Sequence, residues 1–177
     1  MKIYISGGAK NGKTALAQKL ACEIAKDGRR VYLATMIPKD DEDRARIEKH
    51  IAERRGLGFE TAEEGRDILS VLGRYGNDCV YLIDSITALL ENTLYPLSGF
   101  SDNPKVEFKK LLDDLCEFCD RAENVIFVSD YIFSEYRAYS HETYFYMKSL
   151  AAIDKTLCKK CDKVIEMSGG NIIYARS

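Results

Sequence analysis

The segment Gly7–Thr14 constrains this chain more than any other. It has the sequence GGAKNGKT, which fits G-x-x-x-x-G-K-[ST]; it follows an apolar run at Lys2–Ser6 and begins a helical pattern. Glycines let the backbone N–H groups of such a loop point at phosphate oxygens, and the positive end of the next helix favours the same anion. The sequence therefore predicts a phosphate-binding loop formed by Gly7, Gly8, Ala9, Lys10, Asn11, Gly12, Lys13 and Thr14.

Two residues of this loop and one acid elsewhere predict its chemistry. We expect Lys13 to bridge the β- and γ-phosphates of a nucleotide and the Thr14 hydroxyl to bind Mg²⁺. The apolar run Cys79–Asp84 ends in a carboxylate, and the carboxyl ends of parallel strands share one edge of a sheet. Asp84 is therefore expected to be a second metal ligand and a catalytic residue beside the loop. The alternative is that Asp84 only caps the following helix.

Strand-like and helix-like patterns alternate along the chain. The predicted strands are Lys2–Ser6, Arg30–Thr35, Cys79–Asp84, Asn124–Ser129, Lys163–Met167 and Asn171–Ala175. The predicted helices are Lys13–Asp27, Asp41–Arg55, Pro104–Arg121 and Glu142–Lys160. This alternation predicts an α/β fold, a P-loop NTPase-like mostly parallel sheet flanked by helices. The turn residues Ser168–Gly170 predict that the last strand folds back as an antiparallel edge hairpin.

Size and composition narrow the possible classes of protein. A chain of 177 residues is expected to form one domain, residues 1–177. The formal net charge of −2 gives no basic excess, so nucleic acid is not an expected partner. The longest apolar runs are strand-sized, and the first residues do not resemble a signal peptide. We therefore expect a cytoplasmic protein without a membrane span, whose 6 cysteines are reduced thiols.

Five segments, in their order and spacing, resemble a known family. They are the loop Gly7–Thr14, the strand Tyr32–Thr35, the segment Asp41–His50, the stretch Phe59–Glu63 and the strand Leu82–Asn92. Together they resemble the bifunctional adenosylcobinamide kinase / adenosylcobinamide-phosphate guanylyltransferase family of cobalamin biosynthesis. The similarity spans nearly the whole chain and is strongest over its first half.

The resemblance implies two reactions on one chain. The first phosphorylates adenosylcobinamide. The second transfers GMP from GTP, through a guanylyl-histidine intermediate, to adenosylcobinamide phosphate and gives adenosylcobinamide-GDP. By position His50 would be the catalytic nucleophile, GTP, ATP and Mg²⁺ the cofactors, the corrinoid the substrate, and a homotrimer the assembly. Two other functions stay open: a P-loop kinase of another small molecule, and a non-catalytic GTP-binding relative.

The surroundings of His50 in the sequence fit a phosphate-handling role. On a helix, Arg46, His50 and Arg54 lie four residues apart and share one face. Two guanidinium groups beside a neutral imidazole would bind a triphosphate and leave the ring free to attack phosphorus. The alternative is a solvated helix crossed by ion pairs such as Glu42–Arg46.

The chain departs from the resembled family after its predicted strand at Asn124–Ser129. The family usually has Val-Ser-Asn-Glu-Val-Gly where this chain has VSDYIF, so Asp130 replaces an asparagine and Tyr131 a glutamate. Asp154 likewise lies where an asparagine is common. The region from 131 to 146 is strongly aromatic, and its rings either form a wall for a corrin or pack the core or a subunit interface. They are Tyr131, Phe133, Tyr136, Tyr139, Tyr144, Phe145 and Tyr146.

Overall fold

Strands and helices alternate through the computed structural model, which describes residues 1–133, 138–169 and 171–176. The strands are β1 (Lys2–Gly7), β2 (Arg30–Ala34), β3 (Phe59–Glu63), β4 (Val80–Asp84), β5 (Asn124–Asp130), β6 (Lys163–Ser168) and β7 (Asn171–Arg176). The helices are α1 (Lys13–Ala25), α2 (Asp41–Glu53), α3 (Ile68–Tyr75), α4 (Ile86–Leu94), α5 (Pro104–Arg121) and α6 (His141–Lys160).

The strands form one sheet in the order β3-β2-β4-β5-β1-β6-β7. The strands β1 to β6 pair in parallel with one another, and β7 pairs antiparallel with β6. This topology confirms the predicted mostly parallel sheet with an antiparallel edge hairpin. It also brings the carboxyl ends of β1, β2, β4 and β5 to the same edge, where the loops that carry the site begin.

Both faces of the sheet are covered by helices. Helix α1 packs Ala17 and Ala21 against one face, while α3 to α6 cover the other with residues such as Leu89 and Phe118. Residues from Val80 to Ile83 are all buried, which explains why β4 is an unbroken apolar run instead of an alternating one. The cysteines are free thiols. In the described residues, no helix has the length and apolar character that a membrane crossing needs.

The predicted strands and helices agree with the structure to within one or two residues at most ends. Three elements were not predicted: β3, α3 and α4. The prediction of a strand over Leu82–Asn92 is wrong beyond Asp84, because α4 starts there. Ser85 caps α4 by accepting a hydrogen bond from the Ala88 N–H at 3.2 Å. Because the cap directly follows Asp84, no loop separates the apolar run of β4 from the helical pattern of α4 in the sequence.

Asp154 lies on α6 against the sheet. Its carboxylate accepts a hydrogen bond from the Tyr4 hydroxyl and a second from Ser129 Oγ at 3.2 Å. Burial raises the pKa of the Asp154 carboxyl, and the two hydrogen bonds oppose that rise. Burial and the neighbouring Asp154 likewise raise the pKa of Tyr4, which keeps the phenol a donor. Asp154 thus ties β1 and β5 to α6.

We predict that Asp154→Asn removes a pH-dependent loss of stability. Because the folded-state pKa is raised, the folded protein retains a proton that the unfolded chain has lost, so the free energy of unfolding falls as the pH rises from the ordinary value of 3.8 through the raised one. Asparagine keeps an acceptor and does not titrate. Urea denaturation of both proteins between pH 4 and pH 8 measures this. The free energy of unfolding of the variant should increase relative to that of the wild type as the pH rises.

The matched control for this experiment is Asp113→Asn, which changes an exposed aspartate paired with Lys109 on the surface of α5. Its stability difference from the wild type should vary little with pH. Parallel pH profiles for Asp154→Asn and the wild type would contradict the prediction.

Candidate nucleotide-binding site

The loop between β1 and α1 lies tightly against the end of β6. A Cβ on Gly7 would overlap the backbone carbonyl oxygen of Met167, so only glycine fits there. Asn11 Nδ2 donates a hydrogen bond of 2.7 Å to the same carbonyl. Gly12 takes a φ of 86° where the loop turns into α1, in the left-handed region that glycine adopts freely. The structure therefore presents the predicted phosphate loop as an anchored turn at the N-terminus of a helix.

Lys13 lies inside this turn and is almost completely buried. Its Nζ donates a hydrogen bond of 2.7 Å to the Gly8 carbonyl and lies 2.9 Å from Asp130 Oδ1. Asp130 is the last residue of β5, directly opposite Gly7 in the register of the two strands. Sequence analysis marked Asp130 only as a departure from a family pattern; the pairing of β5 with β1, which the sequence alone does not specify, makes it a neighbour of Lys13.

The two predicted metal ligands lie together. Thr14 Oγ1 donates a hydrogen bond of 2.9 Å to Asp84 Oδ2, and Tyr32 OH donates one of 2.7 Å to the same oxygen. Burial, and next the charge of Asp84, raise the pKa of Tyr32 far above its ordinary value, so its phenol remains a donor. Ser85 caps the N-terminus of α4, so the alternative in which Asp84 caps this helix is wrong.

The oxygen donors of this pair suit Mg²⁺. Hydroxyl and carboxylate oxygens are the ligands that this ion prefers, and Mg²⁺ usually takes few protein ligands and completes its shell with water and phosphate. The described residues contain no group of three or more histidine, cysteine or acidic side chains placed to hold a metal. A Thr14–Asp84 site of two ligands therefore fits a metal that arrives with a nucleotide better than a permanent metal centre.

Helix α2 stands above the carboxyl ends of β2 and β3 without burying any of its own residues. Its N-terminus is capped by Asp40, whose side chain accepts a hydrogen bond of 2.8 Å from the Asp43 N–H. Between α2 and the sheet lies a cleft of about 470 Å³. It is lined by Tyr32, Ala34, Met36, Ile37, Pro38, Arg44, Ile47, Glu48, His50, Arg54, Glu63, Glu64, Gly65, Asp84 and Ser85.

His50 faces this cleft from the last turn of α2, and Asp84 lines the same cleft from the end of β4. The imidazole is about one-third exposed. Its Nδ1 is buried and lies 3.3 Å from Glu53 Oε2, without the alignment of a hydrogen bond. Nδ1 thus faces Glu53 on the same helix, which leaves Nε2 as the nitrogen available to a ligand.

The arginines predicted to share a face with His50 have different surroundings. Arg54 is buried and lines the cleft; its guanidinium lies 4.3 Å from the centre of the Tyr32 ring, and its Nε donates a hydrogen bond of 3.3 Å to Thr61 Oγ1. Arg46 lies outside the cleft lining, half exposed and 3.6 Å from Glu42. Its predicted contact with phosphate stays a prediction.

Arg44, which sequence analysis did not select, also lines the cleft; its side chain is largely exposed and its Nε lies 3.8 Å from Asp41 Oδ1. Arg44, Ile47 and His50 follow one another at intervals of three residues along α2. Starting from Ile47, an apolar residue of α2 that reaches the cleft, this spacing would have identified Arg44. Charged residues occur on every face of α2, so the spacing alone did not distinguish Arg44 from the others.

Asn92 on α4 ties together two segments next to the cleft. Its buried Nδ2 donates hydrogen bonds to the Thr35 carbonyl at 2.8 Å and to the Gly65 carbonyl at 3.0 Å. Thr35 Oγ1 in turn donates to the Ser85 carbonyl at 2.8 Å and accepts from the Ser85 N–H at 2.7 Å. The segments that leave β2, β3 and β4 are therefore tied to one another by polar contacts, and Gly65 and Ser85 of these segments line the cleft.

We predict that Asn92→Ala weakens both the fold and the cleft. Truncation leaves the buried carbonyls of Thr35 and Gly65 without their donor, which should lower the free energy of unfolding by about 1–3 kcal/mol. The affinity for nucleotide should fall with it, because the cleft walls lose their common anchor. Chemical denaturation and titration with a fluorescent nucleotide measure the two effects.

The control is Thr93→Ala on the same helix, because the Thr93 hydroxyl bonds the Leu89 carbonyl of α4 itself. It should cost about 1 kcal/mol or less and leave nucleotide affinity unchanged. Equal effects of the two substitutions would contradict the assignment of Asn92 as the anchor.

The aromatic residues near the end of β5 divide into two groups. Phe145 and Tyr146 pack against rings from the preceding helices and their loop, Phe145 against Phe100 and Phe108 and Tyr146 against Tyr95. Tyr131 and Tyr144 are exposed instead. Tyr131 makes an edge contact with Phe133 at 5.4 Å. Tyr136 lies outside the described residues.

Comparison with solved structures identifies the fold. One solved ATPase domain matches with a TM-score of 0.57 at 15% identity, covering 99% of this chain and 76% of that one. An ATPase of the type III secretion system of pathogenic bacteria gives 0.57 at 14% identity, covering 95% and 51%. The KaiC-like protein PH0186 of Pyrococcus horikoshii OT3 gives 0.53 at 15%, covering 99% and 78%. These likenesses support a P-loop NTPase fold.

Comparison with sequences identifies the family. No curated protein matches the chain. The family model described as cobinamide kinase / cobinamide phosphate guanyltransferase matches residues 3–174, nearly the whole sequence. This match, together with the phosphate loop and the fold around it, shows that the chain belongs to the cobinamide kinase / cobinamide phosphate guanyltransferase family of cobalamin biosynthesis.

Proposed function

We propose that this protein catalyses both reactions of its family: phosphorylation of adenosylcobinamide, and transfer of GMP from GTP through a guanylyl-His50 intermediate to adenosylcobinamide phosphate. The observation that carries the proposal is the cleft under α2, which His50 and Asp84 line together. A nucleotide whose phosphates rest on the loop beside Asp84 extends from there toward His50. A kinase of another small molecule would not need this histidine in the same cleft.

The phosphate loop is proposed to bind the triphosphate of GTP or ATP. Its backbone N–H groups and the start of α1 attract the anion, and Lys13 neutralises the β- and γ-phosphates. Thr14 and Asp84 are the proposed ligands of Mg²⁺, which would offset the charge that develops on the transferring phosphate. Lys13 Nζ has three N–H donors, of which the Gly8 carbonyl and Asp130 engage two, so a third donor remains for phosphate.

Guanylyl transfer begins at the imidazole of His50. The lone pair of Nε2 attacks the α-phosphorus of GTP; the N–P bond forms, the bond to the bridging oxygen breaks, and pyrophosphate leaves with the electron pair. Glu53, 3.3 Å from Nδ1, supports this assignment because a carboxylate there favours the proton on Nδ1 and the lone pair on Nε2. A phosphate oxygen of adenosylcobinamide phosphate then attacks the same phosphorus, and the P–N bond breaks to regenerate His50.

The cationic side chains near His50 are proposed to bind the phosphates that react there. Arg54 is fixed by its stack on Tyr32 and its bond to Thr61, so it presents a preformed charge at low entropic cost. Arg44 lines the same cleft. Arg46 is proposed to join them only if it leaves Glu42 for the ligand.

The remaining parts of the proposal concern the molecule as a whole. We propose a single nucleotide-binding domain over residues 1–177 that acts in the cytoplasm as a homotrimer, with the corrinoid as its small-molecule substrate. The two exposed rings, Tyr131 directly after β5 and Tyr144 near the start of α6, are proposed to contact the corrin. Phe145 and Tyr146 of the same region are engaged in packing.

We predict that His50→Ala abolishes covalent labelling of the protein by GTP carrying ³²P at its α-phosphate, in the presence of Mg²⁺. The wild-type label should be labile to acid and stable to alkali, as a phosphoramidate is. Binding of GTP should survive in the variant, since the loop and Lys13 are intact. Autoradiography after denaturing electrophoresis measures the label, and fluorescence titration measures binding.

His141→Ala is the matched control, because the chain has 2 histidines and His141 is exposed at the start of α6. It should be labelled like the wild type. A wild type that binds GTP without becoming labelled would favour a plain kinase or a non-catalytic GTP-binding protein. A label that persists in His50→Ala would assign the nucleophile elsewhere.

A further prediction concerns Mg²⁺. Thr14→Val keeps the shape of the side chain and removes its oxygen, so the improvement of GTP affinity by Mg²⁺ should fall at least tenfold. Thr156→Val is the control, because the Thr156 hydroxyl bonds the Ala152 carbonyl of its own helix. Titrations with and without Mg²⁺ measure the effect; an unchanged Mg²⁺ dependence in Thr14→Val would contradict the assigned ligand.

A further inference from the structure

We infer that Asp130 is the catalytic base of the kinase reaction, the group that takes the proton from the hydroxyl of the substrate that is phosphorylated. The inference rests on the proposed kinase function and adds a residue to it. It starts from the ion pair between Asp130 Oδ1 and Lys13 Nζ, 2.9 Å apart. A carboxylate this close to the lysine of a phosphate loop lies beside the place that the γ-phosphate takes. The family usually has an asparagine at this position followed by a glutamate, whereas this chain has Asp130 followed by Tyr131, so the inferred base is specific to this chain.

The backbone of Asp130 is fixed on both sides. Its N–H donates a hydrogen bond of 2.9 Å to Thr87 Oγ1 on α4, and the next residue, Tyr131, donates its N–H to the Gly7 carbonyl at 2.8 Å. The first contact ties Asp130 to the helix that follows Asp84, and the second ties it to the strand that enters the phosphate loop. The carboxylate is therefore placed by the same elements that place the loop.

Asp130 and Lys13 differ in their access to solvent. The Lys13 side chain is 7% exposed, whereas that of Asp130 is 39% exposed. Lys13 thus approaches the phosphates from inside the protein, and Asp130 lies on the open side of the lysine. The acceptor hydroxyl of a substrate must also come from the open side, so it would meet Asp130 before it meets Lys13.

The distances around Lys13 leave room for a substrate hydroxyl between Asp130 and the γ-phosphate. A phosphate-loop lysine contacts phosphate oxygens at about 2.7–2.9 Å. An oxygen bound to Lys13 and the Asp130 carboxylate would then lie roughly 4–6 Å apart, each within hydrogen-bond range of the same nitrogen. That gap admits a hydroxyl about 2.6–3.2 Å from the carboxylate and about 3–3.5 Å from the γ-phosphorus.

The other carboxylate at the strand ends has a separate task. Asp84 is engaged by Thr14 and Tyr32. In the register of β4 and β5 it lies opposite Val128, so Asp130 extends two residues, roughly 6–7 Å, farther along the strand direction. This separation suits two different roles, with Asp84 as a metal ligand and Asp130 as a base farther along the strand direction.

The substrate hydroxyl oxygen forms a bond to the γ-phosphorus, while the bond from that phosphorus to the β,γ-bridging oxygen breaks and the nucleoside diphosphate leaves with the electron pair. The hydroxyl proton passes to an Asp130 carboxylate oxygen and later to water. Lys13 stays on the phosphates throughout.

The test is Asp130→Asn, which keeps the size of the side chain and cannot accept the proton. Transfer of ³²P from γ-labelled ATP or GTP to adenosylcobinamide, and to water as a second acceptor, should fall by about 10²- to 10⁴-fold. The affinity for the triphosphate should hold or rise several-fold, because a negative charge beside the γ-phosphate is removed. The affinity for the diphosphate should not change. Asp113→Asn, far from the site, should match the wild type throughout.

Two results would overturn the inference. Phosphoryl transfer by Asp130→Asn within threefold of the wild type would exclude a catalytic base at this position. A matching loss of triphosphate affinity and of transfer would show that Asp130 acts only by positioning Lys13. Asp130→Ser repeats the measurement if the asparagine variant does not fold.

Results that contradict the proposed function can be distinguished from results that contradict the role of Asp130. A wild type that transfers phosphate to water and not to adenosylcobinamide contradicts the corrinoid substrate, and the rate with water then decides the role of Asp130. A wild type that α-labelled GTP does not label contradicts the His50 mechanism and leaves the kinase measurement intact.

Discussion

The site depends on one constraint, the parallel direction of six neighbouring strands. Because β1, β2, β4 and β5 run the same way, their carboxyl ends open at a single edge, and residues far apart in sequence meet there. Thr14 and Asp84 are separated by 70 residues and joined by a hydrogen bond of 2.9 Å. The position of β1 between β5 and β6 places Lys13 beside Asp130 and anchors the loop on Met167. A change in strand order would separate all of these contacts.

Helix α2 is attached to this edge in a different way. It buries no residue of its own and is held locally by the Asp40 cap and by surface ion pairs, which contribute little each. Arg54, directly after the helix, anchors its end through the Tyr32 ring and Thr61. Tyr32 also donates to Asp84. One side chain thus connects the helix that carries His50 to the proposed metal ligand.

How far the sequence predicts this structure depends on the range of the interaction concerned. The phosphate loop, the strand that ends at Asp84 and the edge hairpin were predicted because each is encoded within about ten neighbouring residues. Element β3 was missed because a short edge strand carries no apolar run, and α4 because it begins one residue after a strand. Arg44 and Asn92 were missed because their roles arise from contacts between elements. Asp130 was visible only as an unusual residue until β5 was paired with β1.

The arrangement of residues along this edge explains how one bound nucleotide could serve both proposed reactions. His50 lies above β2 and β3, Asp130 lies at the end of β5, and Asp84 on β4 lies between them. A triphosphate held at Lys13 and Thr14 would have its γ-phosphate on the Asp130 side and its nucleoside in the cleft toward His50. Attack at the γ-phosphorus and attack at the α-phosphorus would then come from opposite sides of one bound nucleotide. In this arrangement each reaction needs its own acceptor or nucleophile, and both use the same loop, lysine and metal ligands.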